Sequence, residues 1–67
     1  MNDSHPLIKY FHYSHLPEHL QGVSKPFFNL AYDIDNSCPD GAEKDAGLRK
    51  LLEAKDCIVR SSMEKGA

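Results

Sequence analysis

The sequence lacks the motifs by which most enzymes are recognised. It contains no nucleophile elbow, phosphate-binding loop, zinc-binding helix or paired-cysteine motif. It also has no apolar run long enough to cross a membrane and no basic-then-apolar start of the kind found in signal peptides. With 67 residues, the chain allows one domain at most, in a size range where a single core is marginal. These absences argue against an enzyme and favour a small cytosolic protein.

The chain is not basic either, because its formal net charge is −2. A general binder of DNA or RNA would carry a positive excess, so a nucleic-acid polymer is not the expected partner. The charges are nevertheless uneven, since acidic residues crowd the stretch 33–45 and cations dominate the last third. Those cations are Arg49, Lys50, Lys55, Arg60 and Lys65. A small anion should therefore prefer the last third of the chain.

Cysteine is scarce, with one residue in a predicted turn and one in a predicted helix. Cys57 would lie about 25 Å along that helix from Cys38, at ~1.5 Å of rise per residue. Disulfide-linked Cα atoms must lie within roughly 7 Å of each other. The pattern therefore predicts two free thiols, buried or half-buried, in a reducing compartment.

Apolar residues recur with helical spacing in the first half of the chain. They are Leu16, Leu20, Val23, Phe27, Leu30 and Ile34. Alternating steps of four and three place such residues on one side of a helix, as at a helix–helix interface. Pro26 falls inside this segment, and its ring presses on the carbonyl of Gly22, which predicts a kink. We therefore predict a long, kinked first helix that ends near Asn36 and packs against a second helix.

The second helix is expected between Asp40 and Lys65. A turn cluster rich in Asn, Ser, Pro, Asp and Gly precedes it, and Asp40 with Glu43 has the spacing of a capping box, so the helix should begin near Gly41. Its apolar stripe is formed by Leu48, Leu51, Leu52, Ile58 and Val59, with Lys55 between them. Two acid-before-base pairs, Asp45 with Arg49 and Asp56 with Arg60, have the spacing of helical ion pairs.

These patterns predict an all-α fold in which a short N-terminal helix precedes an antiparallel two-helix hairpin. Ser4 would cap the short helix, with Pro6 in its first turn. The prediction covers residues 1–67 as one domain, with 1–4 and 63–67 disordered or frayed. Four aromatic residues, Phe11, Tyr13, Phe28 and Tyr32, fall outside the main apolar face. A two-helix unit has no second layer to cover them, so we predict a homo-oligomer.

The four histidines are grouped near the N-terminus, which raises the question of a metal site. They are His5, His12, His15 and His19. Structural zinc needs four ligands, and the nearest other soft ligand, Cys38, lies across the whole first helix. Pro17 also interrupts a common helical frame for His12 and His19. Surface or interface histidines are therefore the preferred interpretation, and neither a metal nor another cofactor is expected.

A dense aromatic patch, Tyr10, Phe11 and Tyr13, is followed by His15. Such rings can simply anchor a short helix on the hairpin. Alternatively, they can form a stacking platform for a nucleobase, whose phosphate a cation would meet. The available cations are Lys25, Arg49, Lys55 and Arg60. Intrahelical pairing or a stem lying on apolar surface would also explain the cations of the second helix, so both interpretations remain open.

Three stretches of the chain resemble one known family. They are Phe11-x-Tyr13-x-His15-x-Pro17, Glu43-Lys44 and Leu48-x-Lys50-Leu51-x-Glu53-Ala54. They are similar to the hairpin domain of small phage proteins that sequester immune signalling nucleotides, the anti-CBASS and anti-Thoeris sponges. The similarity extends roughly from His5 to Ser61.

This resemblance implies a hexamer of helical hairpins in the cytoplasm of an infected bacterium. Such proteins bind cyclic dinucleotides in pockets between protomers, and some bind cyclic trinucleotides around a three-fold axis, without cleaving them. Tyr13 matches the tyrosine that stacks on a base, Lys25 the lysine that meets the ligand, and Arg60 an arginine of the trinucleotide pocket. The resemblance therefore predicts a non-catalytic sponge for cyclic oligonucleotides.

We accordingly name six candidate ligand-binding residues: Phe11, Tyr13, His15, Lys25, Arg49 and Arg60. The aromatic rings would stack on bases and the cations would neutralise phosphates. One alternative is a small structural or protein-binding adaptor that assembles without a nucleotide. A second alternative is a phosphodiesterase or deaminase that acts on the same ligand.

Overall fold

The structure, a computed structural model, describes residues 5–66, with side chains for residues 5–63. A 3₁₀ helix spans Pro6–Phe11, α1 spans Glu18–Ser37 and α2 spans Ala42–Gly66. The described residues form helices and no strand, and both long helices contact each other and the 3₁₀ helix. This confirms the prediction of a short N-terminal helical element followed by a two-helix hairpin. None of the described helices is long and apolar enough to span a membrane.

The short N-terminal element is capped by His5. Its ring Nδ1 accepts a hydrogen bond from the backbone N–H of Leu7 at 3.1 Å, and Pro6 follows at the first helical position. Proline suits this position because its missing amide hydrogen would have no partner there. The predicted cap, Ser4, lies outside the described residues.

The buried face of α1 differs from the predicted one. Leu20, Ser24 and Ala31 are buried, whereas Leu30 is 49% exposed. Leu16 lies before the helix, in the preceding turn. The inward face is rotated because the 3₁₀ helix also packs on α1, and the small side chain of Ala31 leaves room for the ring of Phe11 in the shared core.

Pro26 lies inside α1, which continues past it to Ser37. The kink predicted at this residue stays a prediction. Pro17 serves as the N-terminal cap, and its carbonyl accepts from the backbone N–H groups of Leu20 and Gln21 at 2.9 and 3.0 Å.

The connection between the long helices depends on one glycine. Gly41 has a φ of +155°, a conformation that side-chain-bearing residues rarely adopt. Its carbonyl accepts from the backbone N–H of Asp45 at 3.0 Å, so α2 begins at the next residue, as predicted. The carboxylate of Asp40 accepts from the ammonium of Lys44 at 3.0 Å.

The core lies near this connection and takes residues from all three helices. Ile8, Phe11, Ala31 and Leu48 are each no more than 5% exposed. Partly buried side chains surround them: Leu7, Phe27, Phe28, Ile34, Leu51 and Leu52. The 3₁₀ helix thus supplies the additional layer that a bare hairpin lacks, and Phe11 is covered within one chain. Farther along α2, Ile58 of the predicted stripe is 46% exposed.

The predictions for the burial of the cysteines and for the ion pairs within α2 are wrong. Both cysteines are free, as expected, but they are exposed rather than buried. Asp45 pairs with His5, which comes from another element, instead of Arg49. Asp56 pairs with its neighbour Lys55 at 3.1 Å instead of Arg60. An exposed ion pair at helical spacing gains little free energy, so a more favourable partner readily displaces it.

Candidate ligand-binding surface

A polar side chain of α1 holds the loop that carries Tyr13. The Tyr13 carbonyl accepts from the backbone N–H of Leu16 at 3.0 Å, which closes a turn. The side-chain amide of Gln21 donates to the carbonyls of Leu16 and Ser14 at 2.8 and 3.3 Å. Gln21 was not singled out from the sequence, because nothing in its spacing marks a glutamine as a loop anchor. Together these bonds fix the backbone on both sides of His15.

Four aromatic side chains meet on one side of α1. The Phe28 ring lies 5.3 Å from the ring of His12, 5.7 Å from Tyr13 and 6.1 Å from Tyr32, measured between ring centres. The planes of Phe28 and Tyr32 are inclined by only 20°, whereas Tyr13 meets Phe28 edge to face at 62°. We call these four residues the aromatic cluster. Tyr32 is 49% exposed, so the cluster reaches the surface.

Helical spacing places one candidate cation beside this cluster. Lys25 precedes Phe28 by three residues in α1, and residues three apart are neighbours on a helix surface. Lys25 is exposed. The structure therefore brings Tyr13 onto the same helix that presents Lys25, although the two residues lie far apart in the sequence. Tyr13 thus contacts α1 about one helical turn from Lys25.

The other candidate residues lie elsewhere in the fold. Phe11 is completely buried in the core, so its ring offers no free face to a ligand. His15 is exposed in the turn after Tyr13. Arg49 and Arg60 lie on α2, about 16 Å apart along the helix axis at ~1.5 Å per residue. The guanidinium of Arg60 donates to the sulfur of Cys57 at 3.4 Å.

A dense polar cluster surrounds Lys44, a residue that was assigned no role from the sequence. Its side chain is only 4% exposed, and its ammonium lies 2.9 Å from a carboxylate oxygen of Asp35. The same ammonium donates to the backbone carbonyls of Asp35 and Cys38 at 2.9 and 3.1 Å. The last turn of α1, which is fully described, carries no basic residue. Lys44 therefore supplies, from α2, the cation that a helix C-terminus favours.

This contact shifts the protonation of both partners. The pKa of Asp35 is lowered because its carboxylate accepts the backbone N–H of His5, at 3.0 Å, and a hydrogen bond from Lys44. The pKa of Lys44 is raised because its ammonium binds Asp35 first and Asp40 second, which outweighs the cost of burial. Both groups are consequently charged at neutral pH. The pair joins the last turn of α1 to the first turn of α2, and Asp35 also binds His5 at the start of the 3₁₀ helix.

His5 completes this arrangement through both ring nitrogens. Because Nδ1 accepts the N–H of Leu7, the neutral ring carries its proton on Nε2, which faces the carboxylate of Asp45. The two contacts join the 3₁₀ helix to the first turn of α2. The signal that could have revealed this structural role is the His-Pro pair at the helix start, where a side-chain acceptor is needed.

The comparisons with known proteins are negative. No protein-family model, no curated protein and no solved structure matches this chain. The features of the chain that bear on function are therefore its own, chiefly the aromatic cluster and the exposed Lys25 on the same helix.

Proposed function

We propose that this protein binds cyclic oligonucleotide second messengers and holds them without cleaving them. The observation that carries the proposal is the placement of Tyr13 against Phe28, with Lys25 on the adjacent turn of the same helix. A nucleobase can stack on the partly exposed ring of Tyr13, since every base has a flat π-face. In this arrangement Lys25, about one helical turn from Phe28, would meet the phosphate that follows the base.

The turn around Tyr13 makes the ring a suitable platform. The loop is anchored by Gln21, and the ring is braced by Phe28, so little freedom remains to be lost when a base binds. Binding is stronger when the receptor group is already ordered. His15, exposed beside Tyr13, adds a hydrogen-bond donor or acceptor for a base edge or phosphate.

Self-association completes the site in this proposal. Arg49 and Arg60 lie on α2. In a self-associated form, a second copy would bring its own Arg49 and Arg60 to a ligand held on Tyr13. Exposed apolar side chains that self-association would cover support this arrangement: Leu30, Ile58 and Met63. The family resemblance suggests a homo-hexamer. In that setting the protein would act in the cytoplasm of a phage-infected bacterium and deprive a host immune effector of its signal.

Thermal unfolding in the presence of cyclic di- and trinucleotides tests the proposal. A ligand that binds only the folded protein stabilises it by about 2.7 kcal/mol at one hundred times its Kd. Tyr13→Ala should remove the shift in melting temperature and leave the oligomer intact. Tyr10→Ala is the matched control, because Tyr10 is 54% exposed on the 3₁₀ helix, outside the aromatic cluster. Lys25→Gln should weaken binding, and Lys50→Gln should not.

Three outcomes would contradict this function. No stabilisation by any cyclic oligonucleotide would favour the adaptor, for which the exposed Leu30 and Ile58 are the supporting observation. Dissociation of Tyr13→Ala into monomers would make Tyr13 a packing residue. A changed ligand mass after heat release would identify an enzyme, whereas recovery of intact ligand is expected.

A further inference from the structure

A concave surface that Tyr13 does not line lies where the 3₁₀ helix crosses α1, at the aromatic cluster. This groove has a volume of about 340 Å³ and is lined by Pro6, Ile8, Lys9, His12, Phe28 and Tyr32 together with His5. Drug-sized ligands occupy pockets of roughly 300–1,000 Å³, so the groove has room for one small planar molecule. It is formed within a single chain and requires no partner copy.

The lining of the groove combines an aromatic wall with positive charge. Phe28 and Tyr32 occupy successive turns of α1 with nearly parallel rings, and Tyr32 is half exposed. Lys9 is exposed at the rim, where its ammonium lies 5.3 Å from the centre of the Tyr10 ring. Among the described residues that line the groove, none is acidic.

Another depression near the 3₁₀ helix has the opposite character. It lies at the α1–α2 connection and is lined by the carboxylates of Asp40 and Asp45 as well as by Arg49. The whole chain carries a net charge of −2. Within the described part of the chain, the groove is therefore lined only by cationic and neutral side chains, although the molecule as a whole is negatively charged. It favours an anion that also has an aromatic ring.

We propose that the groove between the 3₁₀ helix and α1 binds a small planar aromatic anion such as a nucleoside monophosphate. The rings of His12 and Tyr32 both stack on Phe28. The base of the ligand stacks on the exposed face of Tyr32 and so extends this series of stacked rings. The phosphate is met by Lys9, which gives up its contact with the Tyr10 ring. This site goes beyond the proposed sponge function, because it uses one chain and does not involve Lys25.

Titration of the ¹⁵N-labelled protein with adenosine monophosphate, followed by NMR, tests the site. The amide signals of residues 8–12 and 28–32 should shift with a single saturable affinity. Adenosine, which lacks the charge, should bind several-fold more weakly, and ribose 5-phosphate, which lacks the ring, should shift these signals little. Tyr32→Ala should weaken binding about tenfold or more, since each stacked base contributes substantially to affinity. Lys9→Gln should weaken binding several-fold, with Lys50→Gln as the control for net charge.

Tyr32→Leu provides a second test that preserves apolar packing while removing the ring, and it should lose affinity as Tyr32→Ala does. Tyr13→Ala should retain adenosine monophosphate binding here even when it loses cyclic dinucleotides. Equal binding of ribose 5-phosphate and adenosine monophosphate would overturn the site. Loss of both ligands in Tyr13→Ala, or shifts confined to the residues around Tyr13 and Lys25, would also overturn it. A protein that binds no cyclic oligonucleotide but shows the predicted shifts would retain this site and lose the sponge function.

Discussion

The two halves of the hairpin are built differently. In the half near the α1–α2 connection, which we call the turn half, the 3₁₀ helix covers both long helices and a buried ion pair joins all three elements. In the opposite half, which we call the open half, no third helix of the described residues covers α1 and α2. There Leu20 is buried, but Ile58 and Met63 are nearly half exposed. The comparison shows that one short helix of six residues concentrates the core at one end.

Because of this asymmetry, we expect the turn half to determine the stability of a single chain and the open half to determine self-association. The turn half contains the completely buried side chains of Phe11 and Leu48, which hold a single chain together. The open half leaves the apolar side chains of Ile58 and Met63 nearly half exposed, which self-association would cover in the proposed assembly. We therefore expect substitutions in the turn half to change stability strongly, and substitutions in the open half to act mainly on self-association.

Leu48→Ala should have the largest effect on stability. Removing a completely buried leucine costs about 2–5 kcal/mol, from the lost burial and the cavity that remains. Ile58→Ala, which affects a 46% exposed side chain on the same helix, should change the free energy of unfolding by about 1 kcal/mol or less. Urea unfolding followed by circular dichroism at low protein concentration measures both values. Equal losses would show that the open half is as well packed as the turn half.

Lys44→Met should have the next largest effect. It keeps a side chain of similar length but leaves the carboxylate of Asp35 without its cation and the end of α1 without a donor. The melting temperature should fall clearly, whereas Lys50→Met, at an exposed position of α2, should leave it almost unchanged. A variant as stable as the parent protein would mean that the buried pair contributes nothing beyond its own desolvation.

The pH dependence of stability provides an independent readout for the same pair. Because folding lowers the pKa of Asp35, its contribution is complete above the usual value of 3.8 and is lost as the pH falls through the lower folded value. Because folding raises the pKa of Lys44, its contribution is complete below the usual value of 10.5 and is lost as the pH rises above it. The parent protein should lose stability at both extremes. Lys44→Met should lack the alkaline loss and show a smaller acid loss.

Ser24→Ala should have the smallest effect, and its sign should be opposite. Ser24 is completely buried in the open half, and among the described residues none hydrogen-bonds to its hydroxyl. Replacing it by alanine removes this unsatisfied group and improves helix propensity, so stability should rise by about 0.5–1 kcal/mol. Thermal unfolding compared with that of Ser61→Ala, on an exposed position of α2, measures the gain. A loss of stability would reveal a partner for the hydroxyl.

The helical architecture was predictable because periodicity and turn residues act locally. The start of α2 after Gly41 and the continuation of the first helix almost to the turn follow from such signals. The rotation of α1 was not predictable, since it depends on how the 3₁₀ helix packs over Ala31, a contact between distant parts of the chain. For the same reason the sequence suggested a ligand-binding role for Phe11, which the structure places in the core.

The sequence indicated which types of residue form the candidate site, but not how those residues are arranged. The aromatic and basic side chains were visible, but the association of Tyr13 with Phe28 requires the loop to fold back on α1. The local pairing of Asp45 with Arg49 was wrong because His5, forty positions earlier, approaches the same carboxylate. Spacing within one helix predicts ion pairs only between residues of that helix. It cannot predict a partner such as His5, which tertiary structure brings from elsewhere in the chain.

The position of Lys44 also has a consequence for the order of folding. The carbonyls at the end of the first helix obtain their charged donor from a residue in the first turn of the second helix. We therefore expect the end of α1 to be fully stabilised only when the Gly41 turn and the first turn of α2 are in place. The hairpin should consequently assemble as one cooperative unit that nucleates at its turn, and not as two helices that form first and dock later.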